Sequence, residues 1–115
     1  MAFLRNARHA VIRPEKLTRY CLDPASPRGR DKARVFKAAL GFDLSNYLSL
    51  IEAIHRGILV FEARFIGRTT HGELWQVDMP VTGPSGTANI RTGWIYEDGS
   101  DVPRLTTAYV RAERR

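Results

Sequence analysis

The stretch IHRGILVFEARFIG, Ile54 to Gly67, decides the fold, because the hydrophobic period changes inside it. Before it, Tyr47, Leu48, Ile51 and Ile54 recur at helical spacing. After it, Phe61, Ala63 and Phe65 alternate with Glu62 and Arg64, the period of a strand. Gly57 reads as the stop between the two regimes.

Working upstream, the segment DLSNYLSLIEAIHRG predicts one helix, with Ser45 as a candidate cap. RDKARVFKAALGF predicts another, with an apolar stripe of Ala33, Val35, Phe36, Ala39 and Leu40. Asp31 suits its N-cap or first turn, and Gly41 its C-terminal stop. RPEKLTRYCL begins with Pro and Glu and places Leu17, Tyr20 and Cys21 on one face of a short helix. DPASPRG breaks it, and residues 1–9 read as a leader strand or coil.

Working downstream, ILVFEARFIG, ELWQVDMPV, TANIRTGWIY and PRLTTAYV read as four strands separated by short turns. Short links predict an antiparallel meander. Helices followed by strands predict an α+β fold, with N-terminal helices packed on one face of a four-stranded antiparallel sheet. The 115 residues suffice for a single domain, with a helical part at about 11–57 and a sheet part at about 58–111.

Alternation assigns the core face to Phe61, Ala63 and Phe65, to Trp75, Val77, Met79 and Val81, and to Ile90, Thr92 and Trp94. Phe36, Ile51, Phe61, Trp75 and Trp94 are the expected core residues. The last strand is ambiguous: Leu105, Thr107 and Tyr109 alternate with Arg104, Thr106 and Ala108, and neither set is clearly apolar.

The formal charge is +6, and of 18 cations only Lys16, Lys32 and Lys37 are lysines. Arginine's planar fork suits phosphate, so a small basic domain of this kind fits a nucleic-acid binder; an Arg-rich codon bias would give the same composition. No apolar run reaches the roughly 18 residues of a membrane span, and MAFLRNARHAV lacks a signal peptide's apolar stretch, so a cytoplasmic protein with no membrane partner is expected. A single cysteine, Cys21, forms no internal disulfide and no Cys-rich zinc site, and His9, His55 and His71 are scattered. No metal and no cofactor are expected.

Chemistry gathers at three places. In SPRGRDKARVF (26–36), a glycine loop runs into a helix start, with Arg28, Arg30 and Lys32 beside it. Free backbone N–H groups and three cations suit phosphate. Cations there oppose the helix dipole by ~0.3–1 kcal/mol each, which argues against a merely solvated helix start. Arg91, mid-strand on the polar sheet face, needs a carboxylate or a ligand, and Asp78 or Glu62 can supply the former. Arg104, Thr107 and Tyr109 on the last strand can contact phosphate or orient a hydroxyl, although Thr and Tyr also simply favour strands. His71, in a turn, is a further acid–base candidate.

EKLTRYCLDPASPRGRDKARVF, VTGPSG and IRTGWIYEDGSDVPRLTTAYV together resemble a family of short bacterial domains of unknown function. Such domains also occur as C-terminal modules of secreted polymorphic toxins. The resemblance runs from about Val11 to Val110. It places Gly29, Lys32, Ala33 and Phe36 on the family's loop–helix motif, Arg91 and Trp94 on strand three, and Pro103, Arg104, Leu105, Thr107 and Tyr109 on the last strand. Many relatives carry His where Ser26 stands, which implies a base elsewhere or a weakened member.

The layout is also similar to barnase-like, colicin-like and RelE-like ribonuclease toxins, a likeness of fold alone. It implies a metal-independent ribonuclease-like toxin domain that binds RNA phosphate through a basic surface, with a small acidic antitoxin or immunity protein as partner. The catalytic candidates are then Lys32, Arg91, Thr107, Tyr109 and His71, and the phosphate-binding ones Arg28, Arg30, Lys32 and Arg104. The alternative is a non-catalytic nucleic-acid-binding or protein-interaction module, one member of such a pair.

Overall fold

The computed structural model describes residues 2–111. It is an α+β fold in which three helices precede a four-stranded antiparallel sheet of order β1-β2-β3-β4. The helices are α1 (Pro14–Lys16), which continues into a π-helical turn Leu17–Cys21, α2 (Arg30–Leu40) and α3 (Tyr47–Val60). The strands are β1 (Ala63–Thr69), β2 (Gly72–Gly83), β3 (Gly86–Glu97) and β4 (Arg104–Val110). No helix is long and apolar enough to cross a membrane among the described residues.

Helix α2 packs against β3 and β4, and α3 against β2. Between the helices and the sheet lie Phe36, Leu40, Leu50, Ile54, Ile58, Val77, Met79, Ile90 and Trp94, all essentially inaccessible. Phe36 and Trp94 are core residues as expected. Thr92 is buried among them with its hydroxyl satisfied: it donates to the Val77 carbonyl at 2.8 Å and accepts from Trp94 Nε1 at 2.8 Å. The wide i→i+5 turn after α1, with Leu22 N–H bonded to the Leu17 carbonyl at 2.8 Å, lets Leu17, Cys21 and Leu22 all face inward. Burial pushes the Cys21 thiol up, as suits a small hydrophobe.

Gly57 does not end α3, which runs on to Val60, so β1 starts at Ala63 and not at Ile58. The glycine serves close packing instead. A Cβ there would come within 2.2 Å of Met79 Sδ, so helix and sheet approach through the missing side chain. With Ile58 to Phe61 outside the strand, the alternation read there loses its meaning. Phe61 is 37% exposed and Phe65 52%, so both stand outside the core, while Ile51 and Trp75 are only partly buried against its rim.

The caps also differ in detail. Gly29 caps α2, with Asp31 in the first turn, and Asn46, not Ser45, caps α3. Gly41 closes α2 in the left-handed conformation, φ 79°, as its position predicts. The leader forms a short 3₁₀ turn, Ala7–His9, and then covers the start of the β4 edge. There Val11 N–H donates to the Pro103 carbonyl and Leu105 N–H to the Val11 carbonyl, at 2.8 and 2.9 Å.

Strand β4 resolves its own ambiguity by an extra residue. Trp94 pairs with Leu105 and Gly93 with Thr107, so Thr106 is a bulge. Leu105 and Ala108 therefore both face the core, while Thr107 and Tyr109 face the open side.

Substituting Gly57→Ala tests the packing role. Helix propensity alone predicts a gain of up to ~1 kcal/mol. Overpacking against Met79 predicts a loss of about 1–3 kcal/mol, seen as a lowered melting temperature. An unchanged or raised melting temperature would show that the helix–sheet contact has room to spare.

Candidate phosphate-binding site

Lys32 reaches its place because α2 starts hard against the preceding turn. A Cβ on Gly29 would lie within 1.7 Å of the Tyr20 carbonyl oxygen, so only glycine permits the approach. Ser26 fixes the corner, its hydroxyl accepting from Gly29 N–H at 3.1 Å and its carbonyl from Arg30 N–H at 2.9 Å. In the first turn of α2, Lys32 Nζ donates to the Tyr20 hydroxyl at 2.9 Å and to Thr107 Oγ1 at 3.1 Å. It also lies 4.6 Å from the Tyr20 ring centre and 5.5 Å from that of Tyr109. An ammonium has three N–H donors, so one is left over. Lys32 is half-buried and has no carboxylate partner among the described residues.

Tyr109 links this lysine to the sheet face, where it stands directly across from Arg91. Arg91 in turn pairs with Asp78 on β2, through Nε to Oδ1 at 2.9 Å and Nη2 to Oδ2 at 3.0 Å. Arg111 adds a third bond to Asp78 Oδ2 at 3.1 Å. The hydrogen bonds from Arg91 chiefly hold the Asp78 carboxyl below the ordinary aspartate range; burial opposes them, and the charges of Arg91, Arg111 and Arg64 assist. The same bonds raise the proton affinity of Arg91, with Tyr109 contributing after Asp78. Gln76, with its amide oxygen turned toward the guanidinium groups, accepts from Arg64 Nη2 at 2.8 Å and Arg91 Nε at 3.1 Å.

Lys32, Arg91, Thr107 and Tyr109 thus converge from α2, β3 and β4. The other sequence candidates lie elsewhere. Arg28 and Arg30 are exposed, and Arg30, two residues from Lys32, is turned about 200° away round the helix. Arg104 sits toward the other end of β4, paired with Glu97 at 3.0 Å. His71 is exposed in the β1–β2 turn. Tyr20 is the member that sequence reasoning missed: its place on an apolar helical face concealed that a hydroxyl there can meet a lysine twelve residues on. Of the two candidate carboxylates, Asp78 is the partner of Arg91 and Glu62 is not. No group of three His, Cys, Asp or Glu is placed to hold a metal among the described residues.

The Arg91–Asp78 pair predicts a pH signature. A lowered folded-state pKa gives stability that is present above the unfolded aspartate value, near 4, and is lost as pH falls through the folded value. Asp78→Asn is therefore expected to cost about 1 kcal/mol at pH 7, a figure kept low because both side chains are partly exposed. The gap between variant and parent narrows at a second pH well below about 4. Thermal melts at the two pH values check it, and an equal gap at both would show that the pair contributes nothing through its charge.

The chain belongs to a family of domains of unknown function, DUF6883, whose model matches residues 3–112. No curated protein matches it.

Proposed function

We propose that this member of the family is a metal-independent ribonuclease-like toxin domain that binds RNA phosphate at Lys32 and Arg91. The observation that supports it best is Lys32 itself: a half-buried cation held by two hydroxyls and two ring faces, with a donor to spare and no counter-charge among the described residues. A phosphate oxygen completes that coordination. Arg91 presents a second cation across from Tyr109, and its fork keeps N–H groups beyond those given to Asp78.

In the proposed reaction the 2′-oxygen attacks the adjacent phosphorus, and the bond from phosphorus to the 5′-oxygen breaks, leaving a cyclic phosphate. The 2′-hydroxyl loses a proton and the leaving oxygen gains one. Lys32 and Arg91 hold the charge that grows on the phosphate. In this scheme the Tyr109 hydroxyl relays the 2′ proton onward to bulk water, and the Tyr20 hydroxyl gives one to the leaving 5′-oxygen and is refilled from solvent. Tyr20 accepts from Lys32 through its oxygen and so keeps its own proton to donate. The formal +6 charge also suits a small acidic antitoxin or immunity protein that covers this face.

One observation favours the second reading, a binding module without chemistry. Asp78 is the carboxylate of the cluster, and two arginines hold it ionised, so it is a poor proton acceptor.

Purified protein with total RNA in chelator separates the two. The first reading expects fragments, with cleavage reduced at least ~100-fold in Tyr109→Phe or Lys32→Met. RNA bound but intact supports the module. For binding itself, Lys32→Met is expected to lower the log–log salt slope on single-stranded RNA by about 0.7, the share of a single neutralised phosphate. An unchanged slope and affinity would place the phosphate elsewhere.

A further inference from the structure

The open face of the sheet carries a row of paired positions across all four strands: Arg64, Gln76, Gly93 and Thr107. Three have polar side chains and the fourth has none. The gap is the floor of a hollow of about 150 Å³. Ile66, Leu74 and Tyr109 give it apolar and aromatic walls, and Gln76, Arg91 and Thr107 give it polar ones. Gly93 keeps it open: a Cβ there would stand 3.0 Å from Thr106 Oγ1 and 3.1 Å from Thr107 Cγ2. Both strand bulges serve the hollow. One inserts Thr106 opposite Gly93, and the other inserts Ile66 between Phe65 and Gly67.

We infer that this hollow is a nucleobase subsite, which takes one unstacked base of single-stranded RNA whose phosphate lies on Lys32. The inference rests on the phosphate reading above and deepens it to a substrate class. A flat ring with polar edges needs apolar contact on its faces and hydrogen-bonding groups at its rim, and the walls divide in that way. The Gln76 amide and Arg91 guanidinium can address ring nitrogens and exocyclic groups. Thr107 joins the two sites: its methyl faces the Gly93 floor of the hollow, and its hydroxyl is the one that Lys32 holds. The hollow and the lysine thus flank one side chain, as the base and phosphate of one nucleotide require of neighbouring subsites. A base stacked and paired in a duplex cannot enter without flipping out, so single strands are preferred.

The test compares single-stranded RNA, a duplex of the same sequence, and inorganic polyphosphate, a polyanion with no base. The parent protein is expected to bind the single strand about tenfold or more tighter than the duplex. Gly93→Val, which fills the hollow, is expected to weaken single-strand binding about tenfold while polyphosphate affinity stays within about twofold. If Gly93→Val weakens both equally, or neither, the hollow holds no base and the inference falls. Should that variant fail to fold, Ile66→Ala at a half-exposed position removes one wall, with loss of RNA affinity alone expected and no loss overturning the inference. Lys32→Met in the same assays separates the phosphate reading: it should weaken both ligands. If it weakens neither while Gly93→Val weakens RNA, the phosphate assignment fails and the base hollow stands. A parent protein that binds neither ligand overturns both.

Discussion

Strand β4 must bury Leu105 and Ala108 while turning Thr107 and Tyr109 outward, and a regular strand cannot do this. Side chains alternate strictly, so positions three apart face opposite ways. The extra residue at Thr106 shifts the phase by one and satisfies both demands. Without it, one of two penalties follows. Either Leu105 leaves the space beneath Trp94, or Tyr109 and Thr107 turn into the apolar layer with their hydroxyls unpaired. Burying a hydroxyl without a partner costs roughly 1–3 kcal/mol. The bulge is therefore the point where core packing and the open-face cluster are made compatible.

A second constraint acts at the corner between α1 and α2. Gly29 lets the helix start contact the Tyr20 carbonyl, and that contact sets the height at which Lys32 meets β4. The same corner takes up part of the helix start's own hydrogen-bonding capacity. Two of its backbone donors are in use, since Ser26 accepts from both Gly29 and Arg30. Asp31 in the first turn supplies the negative charge that the helix dipole favours there. The glycine and the cations of this loop suggest a phosphate cradle when read as sequence; the loop also builds a fixed launching point for one lysine.

The fold is largely legible in the sequence because its signals are long. Two helical stripes, four alternating runs and short turns leave few topologies, and the meander follows. Errors arise where one residue type serves two physical needs. Gly57 carries the same letter whether it ends a helix or lets a helix approach a sheet, and only the distance to Met79 separates the cases. Phe61 and Phe65 read as core because aromatic alternation usually means burial, yet they lie beside an edge strand with one flank open. The site is legible in part: Lys32, Arg91, Thr107 and Tyr109 converge, and Asp78, one of the two candidate carboxylates, stands beside Arg91. Tyr20 is hidden because its partner comes from a different helix. Arg28, Arg30, Arg104 and His71 group with the rest by charge and chemistry, which carry no information about direction.

The two cations of the cluster are held in different ways, and the difference bears on their roles. Arg91 is oriented by Asp78 through two short hydrogen bonds, which fix its guanidinium and leave it further N–H groups. Lys32 is positioned by groups that do not cancel its charge. Two hydroxyl oxygens and two ring faces offset part of the cost of half-burial, each ring contributing ~0.5–1 kcal/mol at such partly exposed sites. A carboxylate in place of either tyrosine would stabilise the ammonium more, but it would also leave little field for an incoming anion. Neutral ligands keep the unit charge available while removing the freedom of a flexible four-carbon stem. Arg111 and Arg64 around the single carboxylate of Asp78 keep the rest of the face positive as well. Charge that is oriented but not cancelled is what a phosphate-binding surface requires, and Lys32 has it where the paired Arg68–Asp98 and Arg104–Glu97 contacts at the opposite end of the sheet do not.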